Sequence, residues 1–407
     1  MTKRREFMTI AASATVAMLG AGKAFAQTGK PLRLGVLTDL SGPLSDLSGR
    51  GSVEAVKMAV ADFGGSVLGR PVEVLSADHQ NKAEIGAQIA NDWYDNKGVE
   101  LIIDLPNSSV LLAVQEIARR KNKVVIATAG ASSDFTGKNC SPNGVHWIYD
   151  TYSLAAGTGR AVVKRGGDTW YFLTSDYAFG KSLERDTANV VKAAGGKVLG
   201  EARHPLNTSD MSAFLLQAQS SNAQIIGLAN SGADLITTLK QASEFGITQG
   251  GKQKLAGLLI FITDIHSLGL ATTQGLLLTS AFYWDQNDGT RAFSKRFYQR
   301  MNRMPTMVHA GNHGAVMHYL SAVKNAGNAD APNVIKMMKA TPINDFMTRN
   351  GRIRDDGRVL RDMYLFEVKK PGESKGPWDY YRQLSVISAA DAARPLSESA
   401  CPLIRKT

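Results

Sequence analysis

From Pro31 onward the chain alternates short apolar runs of β character with amphipathic helical stretches, and this rhythm constrains the fold more than any other feature. Residues 32–37, 71–76, 101–103 and 124–126 read as strands, separated by helices over 51–63, 83–96 and 110–120. Short buried strands separated by helices predict a parallel sheet covered on both faces. The rhythm restarts after Asp150, where helices over 154–164, 180–194, 211–219 and 233–244 alternate with strands over 169–173, 197–202 and 224–228. A strand over 275–279, amphipathic helices over 290–303 and 308–326, and a final strand over 362–368 complete the pattern. The chain has 407 residues, 43% hydrophobic and 20% charged, enough for two or three domains with their own cores. Disorder, collagen and a cysteine-stapled mini-protein are excluded.

The N-terminus stands outside this pattern. Residues 1–8 are charged, 9–22 form a mildly apolar, Ala-rich run, and Ala24-Phe25-Ala26 supplies a small-residue cleavage site before Gln27. These are the parts of an export signal over residues 1–26, cleaved after Ala26, whose apolar run is too short to serve as a membrane anchor. Arg4-Arg5 followed by Glu6-Phe7 resembles the twin-arginine signal, although Lys3 stands where that motif prefers Ser or Thr. The expected location is the periplasm. Cleavage removes Lys3, Arg4, Arg5 and Lys23 against Glu6, so the formal net charge falls from +11 to +8. No basic run of five or more is present, and Arg119-Arg120-Lys121 reads as a helix C-terminus, so no nucleic-acid partner is expected.

Export gives the two cysteines a meaning. Cys140 sits in a turn-rich loop over 138–144 and Cys401 lies close to the end of the chain. In an oxidising compartment a Cys140–Cys401 disulfide is expected, pinning the C-terminal tail to the body; two buried, inert thiols are the alternative. Closing so long a loop contributes about 4 kcal/mol in the chain-entropy view. Catalytic and cofactor signatures are missing: there is no G-x-S-x-G, H-E-x-x-H, C-x-x-C or phosphate-binding G-x-x-x-x-G-K-[ST]. His309 and His313 share a helix face with His318 nearby, but no flanking carboxylate or cysteine completes a shell, so they read as core-edge histidines and no metal is expected.

In parallel sheets the loops after the strand C-termini carry ligand contacts, because helix N-termini and free backbone groups converge there. Here those loops are 39–49, 105–109, 128–134, 174–180, 229–232 and 261–266, all rich in Ser, Thr, Asn, Asp and Gly. Six segments occur in an order and spacing that resemble one known family: LRLGVLTDLSGP from Leu32, LGRPV from Leu68, AGASSDFT from Ala129, SDYAFG from Ser175, LKQA from Leu239 and DDG from Asp355. They are similar to the leucine/isoleucine/valine-binding proteins, the type I periplasmic solute-binding proteins of ABC importers. The resemblance covers residues 30 to 368, nearly the whole exported chain.

The resemblance implies an α/β fold of two Rossmann-like parallel-sheet lobes joined by a three-strand hinge. By position, lobe 1 takes residues 30–151 plus 280–355 and lobe 2 takes 152–279 plus 356–407. A small molecule held between the lobes would drive closure, and the closed form would meet a permease and its ATPase subunits; the protein is expected to be a monomer without cofactor. The family's carboxylate-binding loops fall on Asn107 and Ser108, and on Ala129, Ala131 and Ser132, with Ala131 at the position of the family's threonine. On the second lobe Phe179 occupies an aromatic position, and Asn230 and Ser231 follow the strand over 224–228.

The acidic position that holds an amino-acid ammonium falls on Phe261, with Asp264 three residues later. With Phe261 in the cleft, the aromatics Phe179, Phe261, Tyr149, Tyr152 and Trp147 suggest a site for an aromatic or other non-amino organic acid, because a buried ammonium requires a paired anion. With Asp264 turned inward, a branched-chain or related amino acid fits. A soluble sensor feeding a membrane signalling receptor would use the same fold and cleft. A hydrolase or dehydrogenase is disfavoured by the missing motifs.

Overall fold

Alternate residues of the first strands point to opposite faces of one sheet, and this period of two builds the first half of the molecule. The computed structural model describes residues 29–247 and 251–404, so the expected export signal over 1–26 lies outside the described residues. Leu101 and Ile103 pack with one buried cluster and Ile102 with another; Val124 and Ile126 likewise oppose Val125 and Ala127. The elements are β1 (Leu32–Thr38), α1 (Gly49–Phe63), β2 (Ser66–Val67), β3 (Arg70–Asp78), α2 (Ala83–Asp95), β4 (Val99–Asp104), α3 (Ser108–Arg120), β5 (Val124–Ala127) and β6 (Gly144–His146). The sheet order is β2-β3-β1-β4-β5-β6, with β3, β1, β4, β5 and β6 parallel. Helices α2 and α3 bury one face through Trp93, Tyr94, Val110 and Val114.

The second half repeats the plan. It contains α4 (Thr151–Leu154), a π-turn (Ala155–Gly159), α5 (Arg160–Lys164), β7 (Thr169–Ser175), α6 (Ala178–Ala193), β8 (Lys197–His204), α7 (Ser212–Ser220), β9 (Ile225–Ala229), α8 (Ala233–Glu244) and β10 (Lys254–Gly257). These strands form a parallel sheet in the order β10-β9-β7-β8. After α9 (Ile262–Leu268), α10 (Leu270–Thr273) and β11 (Leu277–Ser280), the chain returns to the first sheet with α11 (Asp288–Met301) and α12 (Met307–Ala326). Helix α12 lies along α1, its Val308, Ala315 and Val316 buried in the cluster that also holds Val56 and Ala59. Then follow α13 (Ala331–Ala340), a hairpin of β12 (Arg352–Ile353) and β13 (Val359–Leu360), β14 (Met363–Val368), β15 (Tyr381–Ile387) and α14 (Ala389–Ala392). Strands β11, β14 and β15 make a small antiparallel sheet whose Leu278, Phe366, Val368 and Tyr381 share a core with Leu173, Ile226 and Leu235 of the second half.

Several elements depart from the sequence expectation for local reasons. The helix expected over 154–164 is split by the π-turn, which brings Gly157 against β11: a β-carbon there would lie 2.1 Å from the Thr279 hydroxyl oxygen. The strand over 362–368 is not the last, because β15 follows it; its largely exposed residues hide the alternation that marks a strand. Strand β6, with three residues, is too short to show a period, and α9 occupies what reads as loop 261–266. Strand β10 and helix α13 were also not expected. The three histidines pack as side chains of the fold: His309 faces the Ser48 carbonyl and the Thr306 N–H, His313 pairs with Asp62, and His318 faces the Met338 carbonyl. Cys140 and Cys401 are bonded, with Cα atoms 5.5 Å apart.

The chain passes between the two halves near Asp150, near Ser280 and near Arg358, and the first and last of these passages are fastened together. His146 N–H donates to the Gly357 carbonyl, and Arg358 Nε lies 3.1 Å from Asp150 Oδ2, both side chains being almost wholly buried. The pair is Coulombic rather than a linear hydrogen bond, and the guanidinium's other nitrogens reach the His146 and Ile148 carbonyls. Burial alone would push the Asp150 carboxyl up, but Arg358, His146 and the Ser153 N–H outweigh it and hold it below the usual range. Arg358→Met is expected to cost about 3–5 kcal/mol by leaving a buried charge unpaired, and pairing it with Asp150→Asn should recover part of that loss. Urea denaturation of both variants decides the point, equal losses refuting it.

Candidate functional site

Because the strands of each sheet are parallel, their C-terminal loops gather along one edge, and in this chain the two edges face each other. Gly232, after β9, meets the loop after β1: its φ is +61°, a β-carbon there would lie 2.4 Å from the Pro43 carbonyl oxygen, and Ala233 N–H donates to that oxygen at 3.0 Å. Ala178 N–H, at the start of α6, approaches the Ser109 hydroxyl at 3.4 Å. The hydroxyls of Ser132 and Ser182 are 2.9 Å apart, and Ser133 donates to Asp186 Oδ2 at 2.6 Å. The structure is thus a closed arrangement, with hydroxyl groups and the N-termini of α3, α6 and α8 along the seam.

The expected site residues divide into those the fold brings to this seam and those it commits elsewhere. Ser108 is fully buried, and its hydroxyl oxygen accepts from Ala131 N–H and Ser132 N–H at 3.3 and 3.2 Å, so the loops after β4 and β5 are joined at one point. Asn107 caps α3, accepting from Ser109 and Val110 N–H. Tyr149 donates to the Ala129 carbonyl at 2.7 Å and meets Phe261 edge to face at 6.3 Å, so these two aromatics bridge the halves. Phe179 is buried beside Tyr177, their rings 5.9 Å apart, and Ser231 is buried next to Gly232.

Three residues point away, and a fourth, Asp264, spends one oxygen on its own helix. Tyr152 lies under Arg394, 4.7 Å from ring centre to guanidinium, and lines an approximately 630 Å³ cavity between α5, α6 and the tail. The Asp150 capping box sets the first turn of α4, on which Tyr152 lies. Trp147 is in the core against His318. The Asn230 amide donates to Thr238 and pairs with His204 inside the second half. Asp264 Oδ2 accepts from Phe261 N–H at 2.8 Å, closing the first turn of α9, while Oδ1 has no partner among the described residues.

Two buried acids flank the seam. Burial pushes the Asp264 carboxyl up to about 7, against the lowering effect of the Phe261 N–H, and the nearby charge of Asp46 adds to the rise. Asp104, at the end of β4, is raised to about 6 by burial even though Oδ1 accepts from Ser52 and Asn312 at 2.8 and 2.9 Å; its Oδ2 is unpartnered among the described residues. Asp104 and Leu105 both have positive φ, 89° and 59°, a strained turn that starts the loop carrying Asn107 and Ser108. Tyr177 escaped the sequence reading as a site residue. Burial, with the charges of Asp234 and Asp39 on opposite halves, raises its phenol above the ordinary range, so it stays a neutral hydroxyl between them. Its position two residues before Phe179 in the SDYAFG segment was the available signal.

Comparisons with known proteins agree with this fold. Residues 31–376 match the family model described as periplasmic binding protein. A periplasmic binding protein from Burkholderia mallei is 50% identical, with a TM-score of 0.91 over 92% of this chain and 99% of that one. A branched chain amino acid ABC transporter periplasmic ligand-binding protein from Burkholderia xenovorans is 40% identical, with a TM-score of 0.81 over 91% of this chain and 99% of that one. An ABC transporter solute-binding protein from R. palustris, solved with benzoate, shares the fold at 18% identity and a TM-score of 0.78, covering 88% of this chain and 96% of that one.

The Asp104 environment makes a measurable statement. The folded protein keeps this proton up to about pH 6, whereas an unfolded chain releases it near 4, so stability falls as pH rises through that window. Asp104→Asn removes the dependence. Relative to this variant, the wild type should lose about 3 kcal/mol between about pH 4 and pH 7 in urea denaturation. A difference that does not change with pH rules out the assignment.

Proposed function

The chain belongs to the periplasmic binding protein family, alongside the Leu/Ile/Val-binding proteins it resembles, and we propose that it captures a small organic acid without an amino group for an ABC importer. The family consists of solute-binding proteins of the ABC-transporter type rather than enzymes. On this reading residues 30–151 plus 280–355 and residues 152–279 plus 356–407 act as two lobes that close over the solute. Export through the N-terminal signal would put the protein in the periplasm, as a monomer that presents its closed form to permease and ATPase subunits.

One observation carries the ligand class: the wall facing Tyr149 is Phe261, and two carboxylates near the seam, Asp39 and Asp234, are engaged by donors of the protein itself. Asp39 accepts from Gly42 and Leu44 N–H and from Asn81. Asp234 accepts from Asn207 and Thr208 N–H and from Ser175. An ammonium group brought here would find an aromatic edge where it needs an anion, and desolvating it unpaired is prohibitive. An acid's carboxylate finds helix N-termini and serine hydroxyls, and its apolar body finds Tyr149, Phe179 and Phe261.

The free Oδ1 of Asp264 supports a second reading, in which that oxygen receives the ammonium of a branched-chain amino acid. Thermal-shift measurements with leucine, benzoate and an aliphatic carboxylate separate the two. A ligand at a hundred times its dissociation constant adds about 2.7 kcal/mol. Stabilisation by a non-amino acid that survives Asp264→Asn and is lost in Phe261→Glu is the expected outcome. Stabilisation by leucine alone, abolished in Asp264→Asn, would establish the amino-acid reading instead.

A further inference from the structure

The two cysteines do more than pin a loose end. After β15, whose Tyr381 packs in the core of the second half, the chain runs over α4 and β13 and is covalently bonded through Cys401 to Cys140, in the loop between β5 and β6 of the first half. A polypeptide that enters one half and is bonded back to the other is a further tie between them, beside the three passages of the chain.

The tail is also gripped on its way. Arg354, in the passage near Arg358, forms a bidentate pair with Asp356 and donates from Nη1 to the Arg394 carbonyl at 2.8 Å. The Arg394 side chain lies over Tyr152 and donates to Asp186 Oδ1 at 2.8 Å. Asp186, on α6 and wholly buried, accepts on its other oxygen from Ser133 and Thr151, each at 2.6 Å. One carboxylate therefore collects the seam loop of the first half, the first passage and the tail. Arg185, beside it on α6, adds a bond to the Ser133 hydroxyl and an ion pair with Asp134.

We propose that the segment 388–401 is a disulfide-tethered strap that limits how far the two halves swing apart, with Arg394 as its anchor on the seam. Opening must separate Ser133 from Asp186, and the strap spans both sides of that contact. With Cys401 bonded to Cys140, the tail cannot move away with the second half, so wide opening has to break the Arg394 contacts. With the tether cut, the tail moves with the second half and that restraint is gone. The inference rests on the two-lobe reading above, in that the halves are taken to move, and it makes no use of the ligand's identity.

Small-angle X-ray scattering of the exported chain, refolded from urea with its disulfide intact and without added solute, tests this. A compact chain of this length has a radius of gyration of about 21 Å. The Cys140→Ser/Cys401→Ser variant is expected to show a larger radius and a broader distance distribution than wild type, and Arg394→Met a smaller change in the same direction. Profiles for a folded double variant that superimpose on wild type overturn the strap. If that variant fails to fold, Arg394→Met, which keeps the bond, decides by the same criterion. No solute enters the measurement, so failure of benzoate or leucine to bind would refute the proposed ligand class and leave this result standing.

Discussion

The buried pair of Asp150 and Arg358 is the point on which the rest of the structure turns. Two charges removed from water persist only where each is matched, and here the match also fixes two passages of the chain side by side. Asp150 is at the same time the cap of α4, accepting from Ser153 N–H at 2.7 Å. The residues on either side inherit their directions from this knot. Tyr149 is sent to the seam, where it faces Phe261, and Thr151 is sent to Asp186. A single ion pair thereby relates the aromatic wall of the cleft to the hydrogen bonds that close it.

Much of this was legible in the residues, and the limits have physical causes. Buried parallel strands such as VVIA at β5 and IIGLA at β9 announce themselves, because a strand covered on both faces is apolar throughout. The Cys140–Cys401 pairing followed from counting cysteines in a chain with an export signal. Phe261 and Phe179 were placed through the family resemblance, and both are buried beside the seam.

What escaped was direction. A periodicity does not say that the capping box at Asp150 turns Tyr152 toward Arg394, nor that Asp264 spends one oxygen on Phe261 N–H at the start of a helix. Both facts depend on a turn geometry two or three residues long, below the resolution of any hydrophobic pattern. The network on Asp186 was equally invisible, since its partners Ser133, Thr151 and Arg394 are brought together only by the closed fold.

The electrostatics of the seam follow from the same geometry. Asp104 and Asp264 lie on opposite halves, are raised for the same first reason, burial, and each keeps an oxygen without a partner among the described residues. Raised carboxyls keep their protons to higher pH than free ones, so well below about 6 both acids beside the seam are neutral, and they ionise as pH rises through about 6 and about 7. An anionic solute is therefore opposed by two fixed negative charges at the upper end of that range and by none at the lower. An ammonium-bearing solute experiences the reverse. The pH dependence of affinity thus carries the sign of the ligand's charge at the seam, independently of which aromatic side chains surround its apolar body.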